Sequence, residues 1–385
     1  MKRTKKRYLL WSAITVTGFL LSTPIYSGTT EQAERIYNNL NGTHGTPEEI
    51  DAIAAHLDNN MLTRAGVAAI DAASGSFYHT TLRNMINVWA NENRSARYEL
   101  NDLVATVIGM TRDGIPFDQI LYGDIVYISD APELPPYSHN NNDHYLEVEA
   151  QKIPLHTGLV RKKQSELTNL PSQVTAGALT TRGFAKAYYQ AGTNRAAFRF
   201  TMMNFMCRDM EQLTDTSRPD FRVRQDVARN PGGDPATYKS KCVGCHAGMD
   251  GMAGAFAYMD FQENSLVYNP LGPRAKYFVN SDTYLGGHVT ENDSWINLWT
   301  DGPNEALGWR GATKGRGVRS FGRMVSQTEQ FSRCMAQQAL AAVCRVEDAA
   351  ISHPALVDYL ASGFENDNYN LKHLFAQTAI ACRGE

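Results

Sequence analysis

The chemistry of this chain gathers at Cys242-Val243-Gly244-Cys245-His246. Two thiols three positions apart share one helical turn, and a histidine follows the second directly. This C-x-x-C-H arrangement is the pattern of covalent c-type haem attachment. The thiols add to the two vinyl groups of the porphyrin, and the histidine lies under the iron as its proximal ligand. A thioredoxin-like pair would want a βαβ setting, which the surrounding pattern lacks. A zinc site would want a second Cys/His pair at finger-like spacing. The other cysteines, Cys207, Cys334, Cys344 and Cys382, are scattered, and the other histidines are single. The motif occurs once, so one covalently bound haem c is expected. Two-haem peroxidases and multihaem wires within the chain are excluded.

The other face of the iron decides the function, because a Met or His there gives an electron-transfer centre and an open position allows ligand chemistry. Met249 lies three residues past His246 and belongs to the proximal side, and Met252 is little better. Two candidates remain besides an open site. His288, in Gly286-Gly287-His288-Val289, lies 42 residues past His246. Met324, in Phe321-Gly322-Arg323-Met324, begins a helix after a Gly-rich loop. Arg310, Lys314, Arg316, Arg319 and Arg323 fall within Trp309–Arg323, where no acid occurs. Guanidinium pairs well with carboxylates, so Arg316 and Arg319 are candidates to hold the haem propionates. The remaining cations form either a docking face for an acidic redox partner or a solvated loop. Asn269-Pro270-Leu271-Gly272-Pro273 is expected to offer a carbonyl to the second ring nitrogen of His246.

Attachment of haem c follows export, and the N-terminus reads as an export signal. Lys2, Arg3, Lys5, Lys6 and Arg7 precede an apolar stretch from Tyr8 to Leu21, and no acid occurs before Glu31. Small or breaking residues follow at Ser22, Thr23, Pro24, Ser27 and Gly28. This is a signal peptide over residues 1–27, with cleavage expected after Ser27. The stretch of 14 residues from Tyr8 to Leu21 falls short of a membrane span, which takes about 20. An uncleaved anchor is the alternative. Cleavage leaves 358 residues and takes the formal net charge from −3 to −8. An acidic mature chain excludes the basic footprint of a nucleic-acid binder. No second long apolar run occurs, so no transmembrane segment is expected in the mature chain. Its location is then periplasmic or secreted.

In such a compartment the four remaining cysteines can form disulfides. Cys334 and Cys344 share one helical pattern, about 15 Å apart and beyond the roughly 7 Å reach of a disulfide. Cys344–Cys382 is the preferred pair, with buried free thiols as the alternative.

The elements that must hold the motif are helical, and the fold class expected is mainly α. Residues 28–130 read as a helical N-terminal domain. Thr46-Pro47-Glu48-Glu49 is a helix start, followed by Ile50, Ile53, Ala54 and Leu57 at helical spacing. Helices are also expected over Thr80–Ala90 and Asn101–Thr111. Residues 131–175 begin with a breaker run, Asp130 to Pro136, and an Asn-rich stretch, and read as a linker or long loop. His139, His144 and His156 lie there and are expected to be solvated. Residues 176–385 form the haem c domain. Its helix Asn194–Cys207 precedes the motif, residues 250–322 are mostly irregular, and helices resume over 324–345, 354–363 and 370–381.

Gly177-Ala178-Leu179-Thr180, Arg195, Cys207, Cys242 to His246 and Met249-Asp250, in this order, carry a resemblance. It is to the haem domain of planctomycete-type monohaem cytochrome c proteins, which are exported bacterial proteins. Phe331-Ser332-Arg333-Cys334 and Asn368–Ala381 resemble their helical C-terminal part. The likeness covers residues 176–385, and this chain has Asp250-Gly251-Met252 where the family has Asp-Pro and a hydrophobic residue. It implies a c-type cytochrome and no particular substrate.

The function expected is electron transfer with an unidentified redox partner protein. The alternative is a peroxidase- or oxidase-like monohaem enzyme, with an open iron face served by His288 and an arginine of 310–323. A weaker third reading has the haem only stapling the fold.

Overall fold

The computed structural model describes residues 28–190, 192–218, 235–277 and 289–384. The expected signal peptide and His288 lie outside the described residues. Helices dominate, as a mainly α chain requires. Strands occur, among the described residues, only as three two-stranded antiparallel pairs. No described helix is long and apolar enough to cross a membrane.

The first three helices, Thr29–Asn41, Pro47–Asp58 and Leu62–Ile70, pack together. The second starts as its sequence demands. Thr46 Oγ1 accepts from Glu49 N at 3.3 Å, and Glu49 Oε2 accepts from Thr46 N at 2.9 Å, so two orphan donors are satisfied reciprocally. The final helix, Leu371–Ala381, returns across this bundle. It lies so close to Leu62–Ile70 that a Cβ on Gly66 would stand 2.6 Å from Ala376 Cβ. Glycine is therefore what lets these two helices touch.

Asp102–Asp113 runs through the middle of the molecule, with Asp102 to Thr111 all buried. Its apolar residues occupy every face, the mark of an interior helix. Glu329–Cys344 packs on Arg195–Met206, Pro354–Asn366 and the final helix. The buried apolar side chains form one cluster from Ala33 to Ile380, drawing on residues 28–130, 131–175 and 176–385 alike.

Two disulfides tie this helical body. Cys344 joins Cys382, as expected, and Cys207 joins Cys334, with Cα–Cα separations of 5.8 and 5.2 Å. Cys334 and Cys344 lie on one continuous helix and do not pair.

Residues 131–175 depart from a linker. Val160–Lys162 pairs with Val126–Ile128, and Asp143–Ala150 is a helix that buries Tyr145 and Val148. His144 is not solvated. It is 2 % exposed, its Nε2 accepts from Ser129 N at 3.1 Å, and its Nδ1 faces Pro135 O at 2.7 Å. Both ring nitrogens are used to staple the proline-rich turn, so it is a structural histidine.

The stretch 250–322 is also more ordered than its composition implies. Met259–Gln262 and Ser265–Tyr268 form a hairpin, and Ser294–Ile296 pairs with Lys314–Arg316. The next helix begins at Gly317, not near 324.

Candidate functional site

The motif sits on a short helical run between Arg195–Met206 and the Met259–Tyr268 hairpin. The run opens as Pro235–Thr237, widens to a π-type turn over Tyr238–Cys242 and continues as Val243–Ala253. It breaks directly after the motif. Ala247 (φ −60°, ψ 123°) and Gly248 (φ 86°, ψ −48°) leave the helical region. At Gly248 a Cβ would lie 2.1 Å from Trp299 Nε1. Positive φ and close approach both demand glycine there. Gly248→Ala is expected to destabilise the fold by about 3 kcal/mol, read as a lower denaturant midpoint. An unchanged midpoint would remove this kink from the account.

Cys242 and Cys245 are both half-buried free thiols, while the other four cysteines pair. Cys245 Sγ has only long contacts, 3.7 Å to Met210 O and 4.0 Å to Thr214 Oγ1. The loop before the motif is docked onto it, since Asp215 N donates to Gly244 O at 2.9 Å.

His246 is held by a buried acid. Its Nδ1 lies 3.0 and 3.1 Å from the two carboxylate oxygens of Asp250. The Asp250 side chain is fully buried, and Arg195 Nε donates to its Oδ1 at 2.8 Å. Burial works to raise the Asp250 pKa. The charge of Arg195 and the hydrogen bonds from Arg195 and His246 outweigh it and hold the carboxyl down, at about 2. An ionised carboxylate on Nδ1 keeps the proton there and leaves the lone pair on Nε2. No described residue approaches Nε2 within hydrogen-bonding distance. The buried Tyr238 sets its ring edgewise to the imidazole, at 5.4 Å and 71°.

The residue before Arg195 positions this arrangement. Asn194 adopts φ 56°, and its Nδ2 donates to Phe256 O at 2.8 Å and Met259 O at 2.9 Å. Lys276 Nζ donates to Asn194 Oδ1 at 2.6 Å and to Asp260 Oδ1 at 2.9 Å. The chain leaving the motif is thereby pinned to the start of the Arg195–Met206 helix, which brings Arg195 to Asp250.

The expected carbonyl from Asn269–Pro273 does not partner His246. Asn269 instead turns on itself, its Nδ2 donating to Gly272 O at 2.9 Å, and the carboxylate of Asp250 takes the role. The i,i+4 spacing of His246 and Asp250 was the signal available in the sequence for it. Arg195 stood out only through the family resemblance, and its pairing with Asp250, 55 residues on, had no local signal.

Met324 lies inside the Gly317–Ser326 helix, 2 % exposed, and its sulfur accepts from Asn297 Nδ2 at 3.3 Å. It lines a cavity of about 350 Å³ with Arg316, Arg319 and Arg323. A second cavity, of about 480 Å³, is lined by Asp250, Trp295, Lys314 and Arg316. Arg316 thus borders both, 67 % exposed and 3.3 Å from Asp293 Oδ1. Arg319 donates to Ser172 O. Arg310 bridges Glu329 and Glu365, and Arg323 lies 4.7 Å over the Tyr122 ring. Arg310, Arg316, Arg319 and Arg323 are thus engaged within the fold, while Arg310, Lys314, Arg316 and Arg323 remain exposed.

The donor set decides what can bind. No group of three or more His, Cys, Asp or Glu side chains able to hold a bare metal ion occurs among the described residues. Two unpaired thiols and one oriented imidazole are instead the set that a covalently attached porphyrin takes. Beside them the buried Trp299 Nε1 finds no hydrogen-bond partner among the described residues.

The chain matches no protein-family model, no curated protein and no solved structure.

Proposed function

We propose that this chain is an exported monohaem c-type cytochrome acting in electron transfer. Cys242 and Cys245 hold the haem, and His246 Nε2 is the proximal ligand. Bound there, the haem supplies a one-electron couple. The observation that carries the reading is the geometry of the motif: two free thiols beside an imidazole whose Nδ1 is fixed by a buried carboxylate. Arg316, at the cavity bordered by Asp250, is the better placed of the two arginines for a propionate. The partner is another redox protein. An N-terminal signal over residues 1–27 directs the chain to the periplasm or beyond.

The test is expression with the signal intact in a host able to attach haem c. One covalent haem per chain, released by neither acid nor organic solvent, supports the reading. A product with free or mutually disulfide-bonded Cys242 and Cys245 overturns it.

The engagement of the Met324 sulfur by Asn297 favours a second reading, a peroxidase- or oxidase-like enzyme with an open iron face. High-spin ferric absorption supports that reading, and a low-spin spectrum sinks it. Met324→Leu separates the two further. It leaves the spectrum unchanged if the sulfur stays with Asn297 and turns a low-spin spectrum high-spin if the sulfur binds iron.

Asp250 acts through His246, as a positioning residue. A carboxylate on Nδ1 makes the imidazole a stronger donor, which favours the ferric state. Asp250→Asn is expected to keep the covalent haem and raise the potential by about 60 mV, equivalent to a tenfold change in relative affinity for the two oxidation states. An unchanged potential would reduce Asp250 to a packing role.

A further inference from the structure

Away from the motif, a cavity of about 310 Å³ opens where three parts of the chain meet. His139 and Asn140 come from the segment 131–175, and so does Asn169. Arg182 comes from the Arg182–Tyr188 helix. Ser265 and Tyr268 come from the hairpin that follows the motif. No Asp or Glu lines it.

Arg182 is the unusual member. It is 8 % exposed, and it lines the cavity. Nε donates to Asn264 O at 2.9 Å, and the guanidinium lies 5.8 Å from the Phe261 ring centre. Its two terminal amino groups have no acceptor among the described residues. The buried acid nearby, Asp102, is spent on other donors. It accepts from Arg182 N at 2.6 Å, from Gly183 N at 2.8 Å, from Leu103 N at 3.0 Å and from Tyr137 OH at 3.3 Å. It makes no ion pair with the guanidinium.

Asp102 acts on this guanidinium only through space, so its terminal nitrogens stay open to an anionic ligand that offers them acceptors. The geometry left open selects the anion. With Nε used, the two terminal amino groups form a flat fork, which matches the two oxygens of a carboxylate. The rest of the wall is uncharged and polar. The Tyr268 hydroxyl and the Asn169 amide have no partner among the described residues, and the hydroxyl of Ser265 donates to Asn140 Oδ1 at 2.6 Å. Such a wall suits hydroxyl groups, while Leu170 and Leu266 give it an apolar floor.

We propose that this cavity binds a small hydroxylated carboxylic acid, with Arg182 pairing the carboxylate and Asn140, Asn169 and Tyr268 taking the hydroxyls. The site is separate from the motif and independent of the haem reading.

Calorimetric titration of the full mature chain tests it with four probes: D-glucuronate, L-malate, D-glucose and inorganic phosphate. One of the two hydroxylated carboxylates is expected to bind with a Kd below about 1 mM. Glucose is expected not to bind, and phosphate to bind at least about tenfold more weakly. Arg182→Lys keeps the charge but loses the fork, so affinity falls about tenfold or more. Because Arg182 is buried, Asn169→Asp on the exposed rim is the companion variant. It places a negative charge beside the carboxylate and weakens binding by a similar factor with the unfolding midpoint unchanged. Absence of binding by both carboxylates up to about 20 mM overturns the proposal. So does equal binding of glucose or phosphate, or full affinity in Asn169→Asp.

Discussion

A variant with Cys242 and Cys245 both replaced by serine is expected to lose the haem signal from a denaturing gel, with the polypeptide still present at its usual mass. Serine is close in size, and both positions are half-buried at the surface of the helical run, so folding itself should tolerate the change. The oxygen of serine does not form the thioether, so nothing covalent remains. Single variants refine the result. With one thioether left, haem stays attached and the optical band shifts. His246→Ala goes further, since the thiols remain but the iron loses its proximal donor. Persistence of a covalent haem in the double variant would sink the attachment proposal.

The second large effect concerns stability. Cys207 and Cys334 are separated by 127 residues and joined by a disulfide. Cross-linking a loop of this length removes much of the freedom of the unfolded chain, worth about 4 kcal/mol. Against a total stability of about 5–15 kcal/mol that is a large share. Cys207→Ala with Cys334→Ala is expected to lower the thermal midpoint by roughly 5 °C for a cooperative unit of this size. The contact survives without the bond, because Gln330 Nε2 donates to Met206 O at 2.8 Å and Gln338 Nε2 donates to Asn204 O at 2.8 Å. A folded but less stable protein is therefore the outcome. No change in midpoint would mean that these hydrogen bonds alone hold the two helices.

What was legible in the sequence was local. The Thr46–Glu49 box, the cap of the helix after Asn101 and the spacing within Cys242–His246 each lie within about one turn of chain. The Cys344–Cys382 pair was legible because each cysteine ends a helical segment. What escaped was made by distant partners. Ser294–Ile296 becomes a strand only because Lys314–Arg316 lies beside it. The hairpin at 259–268 turns through Glu263 and Asn264, at φ 50° and 63°, without the Asn-Gly or Asp-Gly pair that announces such turns. His144 stands beside three asparagines and a proline run, yet its two ring nitrogens hold that run in place. The Gly-rich loop before Met324 predicts a helix opening at 324. The helix begins at Gly317 instead, so Met324 sits mid-helix with Asn297 on its sulfur. Asp250 shows the boundary between the two kinds of information. Its spacing from His246 is local, but its charge is fixed by Arg195, whose place depends on Asn194 and Lys276.

The close seat of the final helix on Gly66 has a consequence for biosynthesis. Residues near 66 leave the ribosome some 300 residues before their partner Ala376. At about 5–20 residues per second that is a wait of roughly 15–60 s. Throughout it the face of Leu62–Ile70 that receives the final helix stays uncovered, a state that invites aggregation and chaperone capture. The early helices are the first made and the last to be finished.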